Sequence, residues 1–415
     1  MNAKFLQIHS LTSYPASLLN RDDAGFAKRM PFGGAVRTRI SSQCLKRHWR
    51  VFEGEDGFRN IEAPDSVRSR IAFERFLVEP LKAEGVPEEL ARSAGQKIVA
   101  KVLGSEQKKE KAEKNAGNTS AKKRSKKSGD GEDDGAHQAD AGSTRSSPLM
   151  TAQVTVLGRP ELDYLCGLAR AALTEAEGSP AKVSGAIDRL MKNEKELKKN
   201  IQALLPGSLE AGLGAALFGR MVTGDVLART DAAIHVAHAL TVHAQMSESD
   251  YFSAIDDLQR EEGEQGSGHI NASELTSGVF YGYVVVDVEG LSSNLGEDRG
   301  LVGDVVARLV RMIPTVSPGA KLGSTAPYAY SHLVMVESGS AQPRSLVNAF
   351  LEPVRTSGHL VRNAYAALSE HLSALDGMYG WGGERAHAAL SADALFENPM
   401  NLASLADWSR KQVSP

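Results

Sequence analysis

Residues Ser277 to Val288 read S-G-V-F-Y-G-Y-V-V-V-D-V. Valine, phenylalanine and tyrosine crowd this stretch. β-Branched and aromatic side chains fit a pleated surface better than a helix, so it predicts the strongest strand of the chain. Weaker strand patterns cover Phe5 to Thr12, with Ile8 in its middle, Val36 to Ile40, and Ser331 to Val336. Between them lie helical textures. The order is strand, basic loop, helix block, helix, hairpin, strong strand, helix, strand. That order predicts an α+β domain with a helical subdomain inserted after its first strand-helix unit.

The local signals set the boundaries. Residues 13–27 hold Pro15, Asn20 and Asp22-Asp23 and read as a loop. Gly33-Gly34 marks a tight turn. The alternation V-R-T-R-I after it predicts a short strand with Arg37 and Arg39 on one face. Ser41 or Ser42 offers an N-cap for a helix over Gln43 to Phe52, on which Lys46 and Arg50 share a face beside Arg47. Residues 66–103 read as helical, with the stripe Val67, Ile71, Phe76, Leu77 and a second helix over Glu88 to Leu103. Further helices are expected at Tyr164 to Thr174, Asn193 to Leu204, Asp231 to Ala244, Leu301 to Met312, Arg362 to Asp376 and Gly382 to Ser391. Ser247 to Glu274 reads as an excursion or long hairpin, and 314–327 as a Gly/Pro-rich loop. Residues 105–148 hold almost no apolar side chains. Burial there cannot repay the ordering entropy, so the segment reads as a disordered insertion.

Charge is unevenly spread. From Lys28 to Arg50 there are seven Lys or Arg residues and no Asp or Glu. The remainder of the 415-residue chain holds 41 of the 48 basic residues and all 51 acidic ones, a net of about −10. A cationic island in an acidic protein is a candidate phosphate-binding surface, because a polyanion releases its counterions on meeting it. Overall charge near −3 argues against coating nucleic acid with the entire surface and permits binding through a groove.

Other chemistries find less support. Cys44 and Cys166 form neither a disulfide framework nor a metal motif, which fits a reducing, cytoplasmic compartment. The N-terminal residues lack a signal-peptide pattern, and no apolar run is long enough to span a membrane. His235, His238, His243 and His269 invite a metal reading, with His235 and His238 three apart on the expected helix. No HExxH, neighbouring cysteine or spaced carboxylates accompany them, so structural histidines are the better reading. No GxSxG elbow and no triad order support a hydrolase. Gly319 to Thr325 lacks the phosphate-loop lysine spacing, and the acids Asp256, Asp257, Glu261, Glu262 and Glu264 read equally well as a solvated loop face. Tyr251-Phe252 follows a polar run on the hairpin. Either ring could stack on a base or pack against the domain.

Taken together, the motifs resemble one family. Leu19-Asn20-Arg21-Asp22-Asp23, Phe32-Gly33-Gly34 and Arg37-x-Arg39-Ile40-Ser41-Ser42-Gln43-x-Leu45-Lys46-Arg47 resemble the opening of the CasC backbone subunits of Cascade, the type I-E CRISPR surveillance complex. ALFGRM (216–221), AIHVAHALTVH (233–243), DYFSAIDDL (250–258) and SGVFYGY (277–283) continue the resemblance in the same order. Residues 105–148 depart from it, being longer and more charged than the family requires.

The resemblance implies a fold and a role. The fold is a modified RRM-like (ferredoxin-like) palm with an inserted helical fingers subdomain and a protruding β-hairpin thumb. Residues 1–58, 216–242 and 276–415 would form the palm, 59–215 the fingers, and 243–275 the thumb. The role is noncatalytic, without cofactor or metal. Copies of the chain would assemble as a helical filament along a crRNA, beside other Cascade subunits, while the guide pairs with a target DNA strand in an antiviral ribonucleoprotein. By the resemblance, Lys28 or Arg29, Ser41, Gln43, Lys46, Arg47 and Arg50 contact the RNA backbone. Met221 and Phe252 flank the nucleotide flipped out at each thumb crossing.

The physical logic is consistent with that role. A guide whose sequence varies must be held by its backbone, and Arg and Lys hold phosphates without base preference. Base pairing then reads the target. Two rivals remain open at this level: a metal-independent CRISPR repeat-RNA endoribonuclease using one of the central histidines, and an RNA-independent structural oligomerisation protein.

Overall fold

The computed structural model describes residues 3–104, 149–176, 179–221, 226–255, 267–391 and 398–414, the side chains of 252–255 and 267–271 excepted. The expected insertion at 105–148 lies outside the described residues. The strands are β1 (Phe5–Ser17), β2 (Arg29–Phe32), β3 (Ala35–Ile40), β4 (Ser66–Ser69), β5 (Thr155–Gly158), β6 (Ile234–Val236), β7 (Ala239–Thr241), β8 (Ser247–Ile255), β9 (Ser267–Asp287), β10 (Ser331–Gly339) and β11 (Glu384–Ala389). Nine of them form one antiparallel sheet ordered β11-β10-β1-β9-β7-β3-β2, with β6 and β8 also pairing with β9; β4 and β5 pair separately.

β9 organises the sheet. Its C-terminal half pairs with β1 in register Phe5 to Asp287 through Tyr14 to Gly278. Its N-terminal part pairs with β8 from Ser247 opposite Thr276 outward. The strong-strand segment is therefore one end of a longer strand, whose other end forms a two-stranded extension beyond the sheet.

Both faces of the sheet are covered, and side chains alternate between them with period two. Leu6, Ile8, Val284, Val286, Val334 and Val336 pack with Val305, Val306 and Leu309 of the helix Arg299–Thr315 and with Leu405 of the helix Leu402–Val413. Leu11, Val279, Tyr281, Leu333 and Met335 pack on the other side with Tyr365, Leu368 and Leu372 of the helix Leu360–Tyr379. A sheet buried on both faces needs apolar residues at consecutive positions, which is why V-V-V reads as an unbroken run.

A second, separate core holds the chain between β4 and β6. Phe73, Leu77, Leu81, Ile98, Leu157, Leu165, Ala169, Val183, Ile187 and Ile201 gather there. They come from the helical stretch Glu74–Ala83 with Phe73 at its start, from the helices Glu88–Val102, Arg159–Glu175, Pro180–Leu190 and Glu194–Gln202, and from β5. The mixed α+β fold with a helical insertion agrees with the sequence reading.

Several elements differ from expectation. Asp231 to Ala244 is not a helix: β6 and β7 lie there, paired with β9. The length of β9 offers a ladder edge, and its hydrogen bonds outweigh the helix propensity of the alanines. Gly382 to Ser391 is likewise the edge strand β11 on β10, with Ala386 in the core and Arg385 bonded to Glu337. Val67, expected on a helical stripe, sits in β4, and β1 runs five residues past Thr12 into the expected loop. β5 and the helix Leu402–Val413 carried no expectation.

Candidate nucleic-acid interface

The cationic segment folds as a hairpin followed by a helix. Gly33 and Gly34 both take positive φ (60° and 75°) between β2 and β3, which suits a two-residue turn. A Cβ on Gly33 would stand 1.5 Å from the Leu351 carbonyl oxygen, so only glycine lets the turn lie there. After β3, Ser41 caps the helix α1 (Ser42–Val51): its hydroxyl accepts the Cys44 N–H at 3.2 Å. The Ser41 N–H donates to Asn20 Oδ1 at 2.8 Å, which staples the 18–23 loop to the start of α1. Trp49 is buried and Leu45 packs beside it on the core. Gln43, Lys46, Arg47 and Arg50 therefore fall on the outer side of the helix.

The seven charges divide into two groups. Arg37 is fully buried. It donates through Nε to the Phe32 carbonyl (3.2 Å), through Nη1 to that of Thr241 (3.0 Å) and through Nη2 to that of Phe350 (2.8 Å). Its place is structural: it ties the β2–β3 hairpin to β7 and to the turn Val347–Phe350. Arg29 bonds both carboxylate oxygens of Glu274 at 3.2 and 3.3 Å. Glu274 also accepts the Ala27 N–H at 2.6 Å, so this pair fastens the base of the β8–β9 extension. Arg39 lies 3.3 Å from His238 Nδ1, which also accepts the Ser42 N–H. Lys28 pairs through its backbone with Asn20 and Arg39.

Arg47 and Arg50 open onto a cleft of about 360 Å³ between α1, β4 and the helix Leu213–Phe218. Arg59 and Arg68 line it as well, with Asp65 as the one acid among the described residues that line it. Arg59 is paired with Glu53 at 3.0 Å. Among the described residues Arg47, Arg50 and Arg68 form no ion pair. Burial lowers the proton affinity of Arg50, and the charges of Arg68 and Arg47 lower it further. Lys46, whose Nζ sits 5.6 Å from the Phe218 ring centroid, is lowered by burial and then by Arg68. Gly214 makes room for this packing: a Cβ there would stand 3.3 Å from Arg50 Cδ and 2.4 Å from Ser66 Oγ.

The remaining predicted residues lie elsewhere. Ser41 is buried at the cap, whereas Gln43 is exposed. Met221 is 92% exposed. It follows Arg220, which is buried in a 2.6 Å pair with Glu161 and donates to the Ala228 carbonyl at 2.7 Å. Phe252 sits on β8 opposite Asn271, and its side chain lies outside the described residues. The neighbouring Tyr251 is 67% exposed. Asp256, Asp257, Glu261, Glu262 and Glu264, and the side chain of His269, lie outside the described residues.

The other histidines occupy strands and their ends. His243 is buried, donating from Nδ1 to the Ala244 carbonyl (2.7 Å) and accepting the Val279 N–H at Nε2 (3.2 Å). His235 bonds the Ala232 carbonyl at 3.0 Å. Among the described residues no three His, Cys, Asp or Glu side chains converge on a metal position. No described helix is long and apolar enough to cross a membrane. The arrangement at the cleft can neutralise phosphates by charge and hydrogen bonds.

Sequence reasoning missed Arg68, Phe218 and Gly214. The signal for Arg68 was the alternation S-V-R-S-R at 66–70, a short strand pattern hidden inside an expected helical stripe.

The chain is similar to known proteins over nearly its whole length. A family model described as CT1975-like protein matches residues 6–410. A solved structure titled "CRISPR RNA-guided surveillance complex, pre-nicking" is similar with a TM-score of 0.72 at 24% identity, covering 99% of this chain and 100% of that one. Another, titled "CRISPR RNA-guided surveillance complex", gives 0.55 at 20% identity, covering 98% of each. At such identities the likeness bears on the fold. No curated protein matches the chain.

Proposed function

The chain belongs to the CT1975-like protein family, and from that premise we propose that it is the CasC-type, noncatalytic crRNA-binding backbone subunit of a type I-E Cascade complex. The observation that carries this reading is the outer face of α1, where Lys46, Arg47 and Arg50 stand beside a cleft with a single acid among the described residues that line it. Unpaired cations gathered at a cleft are stabilised by a polyanion and otherwise repel one another.

In this reading the nine-stranded sheet and its helices are the palm, the second core is the fingers, and the β8–β9 extension is the thumb. Lys46, Arg47 and Arg50 hold guide phosphates, and exposed Gln43 adds a neutral hydrogen bond. Ser41 contributes by fixing the start of α1. Lys28 or Arg29 adds a further backbone contact, Arg29 also serving the thumb base through Glu274. Met221, which is exposed, and Phe252 act as apolar wedges that unstack the guide at intervals, so that short segments pair with target DNA. Copies of the chain repeat this along one RNA, beside the other subunits of the complex.

Replacing Lys46 and Arg50 together with Ala is expected to weaken RNA binding equally across guide sequences. The log–log salt slope should fall by about one unit per lost phosphate contact. Unchanged affinity and slope would count against the assignment. RNA extracted from the native assembly should be of uniform length with repeat-derived ends. Cleavage of repeat RNA by the purified chain would favour the endoribonuclease reading instead.

A further inference from the structure

We propose that the cleft between α1 and β4 is a two-sided phosphodiester pocket, closed by Arg68 opposite Arg50, through which bound RNA fastens the helical insertion to the sheet domain. The inference rests on the RNA-binding reading and extends it to a residue outside the cationic segment.

Arg68 stands on β4, whose partner β5 places Leu157 in the core of the helical insertion. Arg50 stands on α1, whose Trp49 is part of the core under the sheet. The two residues thus stand on elements anchored in different cores, and both line the cleft. Burial lowers the proton affinity of Lys46 and Arg50, and the charge of Arg68 lowers both further. Such repulsion between like charges is a cost in the free chain, larger where solvent is excluded. Nothing among the described residues offsets it with an ion pair at Arg47, Arg50 or Arg68. A phosphate between them removes the repulsion and gains charge-assisted hydrogen bonds from both walls.

The surroundings are built to keep the pocket open. Gly214 leaves the space that Arg50 crosses, and Gly212 (φ 84°) packs its backbone against the backbone nitrogen of Ser66. The Leu213 N–H donates to the Pro64 carbonyl at 2.7 Å, and the Arg159 N–H to the Asp65 carbonyl at 3.0 Å. The 64–68 segment is thereby held on two sides, and Arg68 is presented on a strand.

The test uses the full-length chain and a fluorescein-labelled single-stranded RNA of mixed sequence, with binding titrated over a series of KCl concentrations. Arg68→Ala should weaken binding on the order of tenfold and reduce the salt slope by about one, while Arg68→Lys, which keeps the charge, should retain the slope. RNA should also slow amide exchange in β4 and β5 of the unsubstituted chain, and this protection should disappear in Arg68→Ala. An unchanged slope and unchanged protection in Arg68→Ala, with Arg50→Ala still impaired, overturns the two-sided pocket and leaves the RNA-binding reading standing. No RNA binding by the unsubstituted chain overturns both. A thermal melt of each variant separates loss of contact from loss of fold, and Arg68→Lys carries the comparison if Arg68→Ala unfolds.

Discussion

Arg37 lies in the middle of the cationic segment, yet its behaviour should be opposite to that of Arg50. Its guanidinium donates to three carbonyls at 2.8–3.2 Å from β2, β7 and the 347–350 turn, with no solvent exposure. Arg37→Met keeps the aliphatic stem and deletes the donors. Hydrogen bonds from a charged group contribute about 1.5–3 kcal/mol each, and part of this is returned because the charge no longer has to be desolvated. The balance is a destabilisation on the order of 2–4 kcal/mol. Urea unfolding followed by tryptophan fluorescence should report it, since Trp49 lies in the adjoining core. RNA binding by the folded fraction should keep its full salt slope, because this cation does not reach the surface. The reasoning is refuted if Arg37→Met unfolds at the same urea concentration as the unsubstituted chain and lowers the salt slope by one. That pattern would put Arg37 on the RNA and its carbonyl bonds out of the energetics.

Other perturbations probe the joints of the fold. Arg220→Ala strips the partner from a fully buried Glu161, which also accepts the Gly158 N–H at 2.9 Å. A loss of about 3–5 kcal/mol is expected, read as early proteolysis between Gly158 and Met221, whereas resistance equal to the unsubstituted chain would mean the pair is dispensable. Burial lowers the proton affinity of His243, and nearby Arg37 adds to the effect. The unfolded chain then binds more protons than the folded one below about pH 6.5, so this contribution is full above that pH and is lost as the pH falls. His243→Gln should make the stability–pH curve between pH 6.5 and 5 shallower, by up to about 1.4 kcal/mol per pH unit. An identical slope in both proteins would show that His243 takes up its proton without penalty.

Local patterns made much of the architecture legible. Val279 to Val286 could only be a strand, because its side chains crowd a helix and fill both faces of a sheet. The Gly33-Gly34 turn and the Ser41 cap were readable because each meets a stereochemical demand within a few residues. The segments 231–244 and 382–391 were misread for a common reason. Their alanines favour helix, and what turned them into strands was an open ladder edge on β9 or β10, supplied by residues tens of positions away. Spacing identified the outward face of α1 but gave no sign that Arg29 would be drawn to Glu274, 245 positions along the chain.

The sequence by itself determined the kind of chemistry: a cationic segment within an acidic chain, on a turn, a strand and a capped helix. Those properties depend on neighbours in the chain, and neighbours are visible in order. The tertiary structure alone decided which of these charges bond within the fold. It buried Arg37 among backbone carbonyls, spent Arg29 on an ion pair, and brought Arg68 on β4 to the same cleft as Arg50. Coulomb interactions depend on distance through space, and that distance is set only when the two cores are packed together.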